Sequence, residues 1–203
     1  MDFDRPLPDD LKTAVEFHGH LCPGLVLGYI AAKEAMKAMD VIRAEDEELV
    51  AIVENDSCAA DAIQVITGCT FGKGNFIFHD FGKQVYTLLS RKTRQGVRLA
   101  LKRDIRKPKK PDGSTDRPAF IHQLLTGQII EFFNSTRVET ELPPLARIFD
   151  NAICDSCGEE VMLPRVREKD GRKLCSPCFD AQASKSLIGQ SPTSAVSKAT
   201  LFT

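Results

Sequence analysis

Seven cysteines and four histidines carry most of the chemistry open to this 203-residue chain, and their spacing divides the cysteines into two sets. In the later set, Cys154-x-x-Cys157 is followed after seventeen residues by Cys175-x-x-Cys178. Two sulfurs separated by two residues can reach one ion from a single turn, and two such turns build the tetrathiolate shell of a structural zinc. Gly158 loosens the first turn so that backbone amides can point at sulfur. Arg165, Arg167, Lys169, Arg172 and Lys173 lie between the pairs and compensate the excess negative charge of four thiolates on a divalent ion. A closed sulfur shell leaves no place for a substrate. Such zinc binding, worth roughly 10 to 16 kcal/mol, instead folds a segment too short to build its own core.

The early set has a different character. Phe17-His18-Gly19-His20-Leu21-Cys22-Pro23-Gly24 puts two imidazoles and a thiol on a glycine-punctuated turn between two helical segments. Gly19 and Gly24 allow His18, His20 and Cys22 to converge. A thiol just ahead of a helix gains thiolate character, which makes Cys22 a nucleophile or a soft metal ligand. A second polar cluster, Glu54 to Gln64, includes Asp56 and Cys58 and again leads from a strand into a helix. A third, Thr67 to Asn75, sets Cys69 and Lys73 in a glycine-rich turn. The competing readings are a plain helix-connecting turn and a dimer seam whose cysteines are buried and inert.

Periodicity supplies the elements that must position these groups. Leu11–Phe17 and Leu25–Met39 read as helices, the second opened by Pro23. Leu49–Val53 reads as a buried strand, and Asp61–Thr67 as a helix stopped by Gly68. Phe76–Phe78, Val85–Leu89 and Val97–Leu101 read as strands, and Pro118–Phe133 as one late helix. The sum predicts an α+β fold with a mainly antiparallel sheet and flanking helices, followed by a small zinc module. Pro143-Pro144 and the polar run around it place a boundary near residue 150, giving a domain over 1–150, a zinc finger over 151–183 and a flexible or partner-packed tail over 184–203.

Phe-His-Gly-His-x-Cys-Pro-Gly at 17–24, Asn-Asp-x-Cys-x-x-Asp-Ala-Ile-Gln at 55–64 and Thr-Gly-Cys-Thr-x-Gly-Lys-Gly-Asn at 67–75 together resemble the FmdE family, named for a component of formylmethanofuran dehydrogenase. The resemblance covers residues 10–135, and the finger is similar to those of the DksA/TraR type without their long coiled coil. It implies a tight homodimer, often intertwined, and a metal-binding pocket. Carried onto this sequence, His18, His20, Cys22 and Cys58 are the ligand candidates for a second transition metal, zinc first, with Cys69, Lys73 and Asn75 around the pocket as substrate contacts. Cys22, His20 and Asp56 are the candidates for the chemistry itself. The family name implies a link to one-carbon metabolism and to partner enzyme subunits. The chain holds neither a pterin-scale domain nor an iron-sulfur ligand run, so whether it catalyses anything is left open.

Composition sets the remaining bounds. Forty-two per cent hydrophobic and 27% charged residues are globular proportions, and 27 basic against 28 acidic residues give no global field for nucleic acid or an anionic membrane. The longest mostly apolar stretch, 21–32, is too short to span a bilayer, and the start lacks a secretory signal pattern, so a cytoplasmic protein is expected. One local exception is 91–110, with ten Lys or Arg and one Asp. It supports an alternative function, a regulatory adaptor whose finger and basic stretch bind nucleic acid or RNA polymerase.

Overall fold

The computed structural model describes residues 6–188, which form two units, one ending at Ala146 and the other beginning at Arg147. The first unit is built on five strands: β1 (Leu49–Val53), β2 (Phe76–Phe78), β3 (Val85–Ser90), β4 (Gly96–Leu101) and β5 (Phe133–Val138). They lie in the order β2-β1-β3-β4-β5. Only β1 and β2 run parallel; β1 pairs antiparallel with β3, β3 with β4, and β4 with β5. The expected α+β class with a mainly antiparallel sheet is what the chain adopts.

Three helices come before β2 in the chain: α1 (Asp9–His18), α2 (Pro23–Met39) and α3 (Ala59–Thr67). Their apolar positions recur at helical spacing, and α2 is nearly all small or apolar, so it is buried along Leu25, Val26, Tyr29, Ala32 and Ala35. It packs on α1, α3 and strands β3 and β4. Central strands follow the same logic: Ala51, Val53, Tyr86, Leu88, Val97 and Leu99 join one continuous core with these helices.

The single helix expected over 118–133 is two. α4 (Arg117–Thr126) ends at Gly127, and one further turn, α5 (Ile129–Phe132), begins after Gln128. The Glu131 carboxylate accepts from the Gln128 N–H at 2.9 Å, a local cap that starts a new turn instead of continuing the old one. Phe133 then opens β5, a strand the sequence hides because Asn134, Ser135, Thr136 and Arg137 are all exposed at the sheet edge. Its backbone pairs with β4 from Gly96 to Leu101 without interruption.

Three of the ten cations in the basic stretch have local polar partners. Arg91 donates to the Glu47, Pro143 and Pro144 carbonyls, Arg98 pairs with Glu54 at 3.3 Å, and Lys102 donates to the Ile130 carbonyl. These contacts tie β3 and β4 to the chain around them, and they do not favour the adaptor reading.

The second unit contains two hairpins, β6 (Asn151–Ile153) with β7 (Glu160–Met162) and β8 (Arg167–Lys169) with β9 (Arg172–Leu174), and then α6 (Ser176–Ile188). Its core is Cys154, Leu174 and Cys175, with Val161, Cys178 and Phe179 packed around them. Residues 184–188, placed in the tail on composition, continue α6; the rest of that tail lies outside the described residues. No helix among the described residues is long and apolar enough to cross a membrane.

Candidate metal centres

The four late cysteines meet. One ligand atom from each of Cys154, Cys157, Cys175 and Cys178 lies within 4.8 Å of all the others, and Cys157 Sγ stands 3.9 Å from Cys175 Sγ. Zinc–sulfur bonds of about 2.3 Å give tetrahedral edges of roughly 3.7 Å, so the thiols already sit close to a zinc shell. Amides reinforce it. The Cys175 N–H donates to Cys154 Sγ at 3.3 Å, and the N–H groups of Cys157 and Cys175 draw the Cys154 thiol down to about 6. Gly158 closes the first knuckle by donating to the Cys154 carbonyl at 2.9 Å with φ of 77°. Two of the compensating cations find local duties: Arg167 stacks over the Phe179 ring at 3.6 Å, and Arg172 donates to the Asp155 carbonyl. The donor set and the closed geometry fit a structural zinc.

The early cluster is assembled from three elements. His18 is the last residue of α1, because Gly19 terminates that helix in the left-handed region at φ 92°. Cys22 is the N-cap of α2, where its sulfur accepts from the Leu25 N–H at 3.4 Å. Cys58 is the N-cap of α3. One ligand atom from each of these three lies within 4.8 Å of the other two, and His18 Nε2 is 3.9 Å from Cys22 Sγ. The other imidazole nitrogen, Nδ1, faces the Asp61 carboxylate at 2.7 Å. Burial, then the neighbouring Cys22 thiol, push the Cys58 thiol up. One imidazole and two thiols are a soft donor set suited to zinc, and three protein ligands leave one tetrahedral position over.

His18 and Cys58 also border a cleft of about 340 Å³, lined further by Asn55, Asp56, Asp61, Phe76 and Phe78. Of the other residues the sequence singles out, Asp56 alone reaches this cleft. His20 does not join the ligand cluster: it is exposed, and its ring lies tilted against that of His18 with centroids 4.6 Å apart. Cys69, Lys73 and Asn75 are absent from the cleft lining. Cys69 is fully buried, and that burial pushes its thiol up. Asn75, also fully buried, accepts from the Thr70 N–H and donates to the Asp46 and Leu49 carbonyls. Lys73 Nζ donates to the Glu45 and Asp46 carbonyls. Lys73 and Asn75 thus fasten two loops, and Cys69 belongs to the hydrophobic core. The sequence motif contains Asp61 but gives it no role; its spacing of three from Cys58 on a helix is the signal that could have found one.

Residues 17–130 match the family model described as FmdE, molybdenum formylmethanofuran dehydrogenase operon, and residues 147–182 match the prokaryotic dksA/traR C4-type zinc finger. A protein of Archaeoglobus fulgidus described as a probable S-adenosyl-L-methionine-binding protein is 34% identical over 197 residues, covering 83% of this chain and 52% of its own. The chain thus spans about half the length of that relative. The crystal structure of a tungsten formylmethanofuran dehydrogenase FmdE-like protein from Syntrophus aciditrophicus superposes with a TM-score of 0.62 at 21% identity, over 84% of this chain and 90% of that one. That likeness is one of fold.

Proposed function

Because the chain belongs to the FmdE family, with a four-cysteine zinc-binding site at its later unit, we propose that its first unit is a second, metal-dependent pocket for a small molecule. His18, Cys22 and Cys58 hold a thiophilic divalent ion, zinc first, and a ligand occupies the adjoining cleft. The mutual approach of those three donor atoms to within 4.8 Å, with His18 and Cys58 lining a cleft, carries this reading. An ion with three protein ligands polarises a carbonyl or lowers the pKa of a bound water. Asp56 in the cleft wall supplies a proton acceptor beside it.

The cleft lining contains Asp56 and Asp61 but neither Lys nor Arg, and Phe76 and Phe78 add an apolar wall. A neutral or cationic ligand with a flat apolar part suits such a lining. The name of the Archaeoglobus relative supports S-adenosyl-L-methionine, a sulfonium cation, as the first ligand to try. We place the pocket in one-carbon or related redox metabolism, as an accessory or a working component, on the strength of the family's description. The proposal extends to a cytoplasmic homodimer that meets partner enzyme subunits.

Metal analysis of the purified full chain tests the centre. Two zinc ions per chain are expected, falling to one in Cys22→Ser and in His18→Ala, both retaining the four-cysteine ion. One ion in the wild type would overturn the reading. Calorimetric titration with S-adenosyl-L-methionine then tests the ligand, with binding expected in the zinc-loaded wild type and lost in Cys22→Ser.

A further inference from the structure

We propose that Asp61 is a positioning residue: it locks His18 as the Nδ1–H tautomer, so that the Nε2 lone pair is presented to the two sulfurs. The inference rests on the metal-pocket reading above for its purpose, though not for its geometry. Three observations carry it.

First, the two imidazole nitrogens have different partners. Nδ1 stands 2.7 Å from Asp61 Oδ2, and Nε2 stands 3.9 Å from Cys22 Sγ. A carboxylate accepts and never donates when ionised, so the proton must sit on Nδ1 of the neutral ring. Second, α3 supplies both Cys58 and Asp61, three residues apart and hence on one helix face. The sulfur and the carboxylate that orients the opposing ligand therefore move as one rigid piece. Asp61 sits in the first turn of α3, where the helix dipole favours its negative charge. Third, the ring has little freedom of its own. The His18 side chain is 12% exposed, and the His20 ring lies beside it at 4.6 Å. With the partner removed, an imidazole divides between its two tautomers, and one of them turns an N–H at the ion. A carboxylate behind a histidine typically raises metal affinity 10- to 100-fold.

Long-range proton–nitrogen NMR of the imidazoles in metal-depleted full-length protein reads the tautomer directly, with the His18 signals assigned by their absence in His18→Gln. The Nδ1–H form is expected in the wild type, and a mixture in Asp61→Ala. Competition of zinc against a chelator should show the weaker of two sites losing 10- to 100-fold in affinity in Asp61→Ala. Asp61→Asn, which keeps an acceptor oxygen, should fall between the two. An unchanged urea midpoint in Asp61→Asn separates positioning from general support of the fold. A wild-type Nε2–H tautomer, or an Asp61→Ala ring with the wild-type tautomer, would overturn the proposal. A single zinc in the wild type would instead remove the pocket reading and leave the tautomer measurement to decide the role of Asp61.

Discussion

At the scale of single residues, the early cluster depends on what is missing as much as on its candidate ligands. A Cβ on Gly24 would stand 3.2 Å from Cys58 Cβ and 3.9 Å from Cys22 Sγ, inside the space the two thiols share. One turn further along α2, a Cβ on Gly28 would collide with the Ala59 carbonyl oxygen and lie 2.6 Å from the Ala59 Cα. Both atoms are backbone, so neither can swing aside. The two glycines thus let α2 and α3 touch along their backbones and carry their N-caps, Cys22 and Cys58, to one point. Gly28→Ala should therefore separate the helices, at a cost of about 1 to 3 kcal/mol from overpacking. Urea unfolding measures that loss, and metal analysis should show the early ion lost while the four-cysteine ion stays. A fully stable variant with two ions would mean that the helix contact does not set the ligand spacing.

At the scale of elements, α1 must be held against α2 for His18 to reach Cys22, and Asp10 is the fastener. Its carboxylate accepts from the Tyr29 hydroxyl at 3.0 Å and from Lys33 Nζ at 2.7 Å, two residues one turn apart on α2. Burial pushes the Asp10 carboxyl up, but the Lys33 and Tyr29 hydrogen bonds outweigh it and hold the group below the ordinary carboxylate range. A depressed native pKa stabilises the fold above the unfolded value and is lost as pH falls through the native one. Asp10→Asn should accordingly cost about 1 kcal/mol at neutral pH. The difference from wild type should shrink steadily in acid below the usual carboxylate pKa; a gap that persists there would show that packing, and not charge, ties α1 down. Much of this scale was legible in advance. The positions of α1, α2, β1, β3 and β4 follow from periodicity, and the family resemblance pointed to His18, Cys22 and Cys58, which cluster, together with His20, which does not. β5 was not, because an exposed edge strand of Asn, Ser, Thr and Arg has no apolar alternation to betray it. Nor were the loop contacts of Lys73 and Asn75, since a polar residue in a glycine-rich turn looks the same whether it faces a ligand or a loop carbonyl. His20 illustrates a further limit: adjacency in sequence brought its ring to His18 but not its nitrogens to the sulfurs.

At the scale of the molecule, the two units are stabilised by different means, and removing metal should expose the difference. The first has a continuous core running from Leu11 through Leu25, Val53, Leu99 and Phe133, enough apolar burial to fold without an ion. Among its described residues, the second buries Leu174 and two of its own ligands, Cys154 and Cys175, and little else. Its hairpins are three residues per strand, too short to stand alone in water. Zinc is thus its core, and binding energy there is folding energy. An increasing concentration of chelator should first withdraw the proposed early ion, for which three ligands are at hand, with circular dichroism unchanged. A second, tighter step should then release the four-cysteine ion and unfold the later unit alone. Limited proteolysis after that second step should cut beyond Arg147 and leave the preceding unit whole. Loss of both ions in one step together with global unfolding would contradict this division of labour, as would a later unit that survives complete chelation.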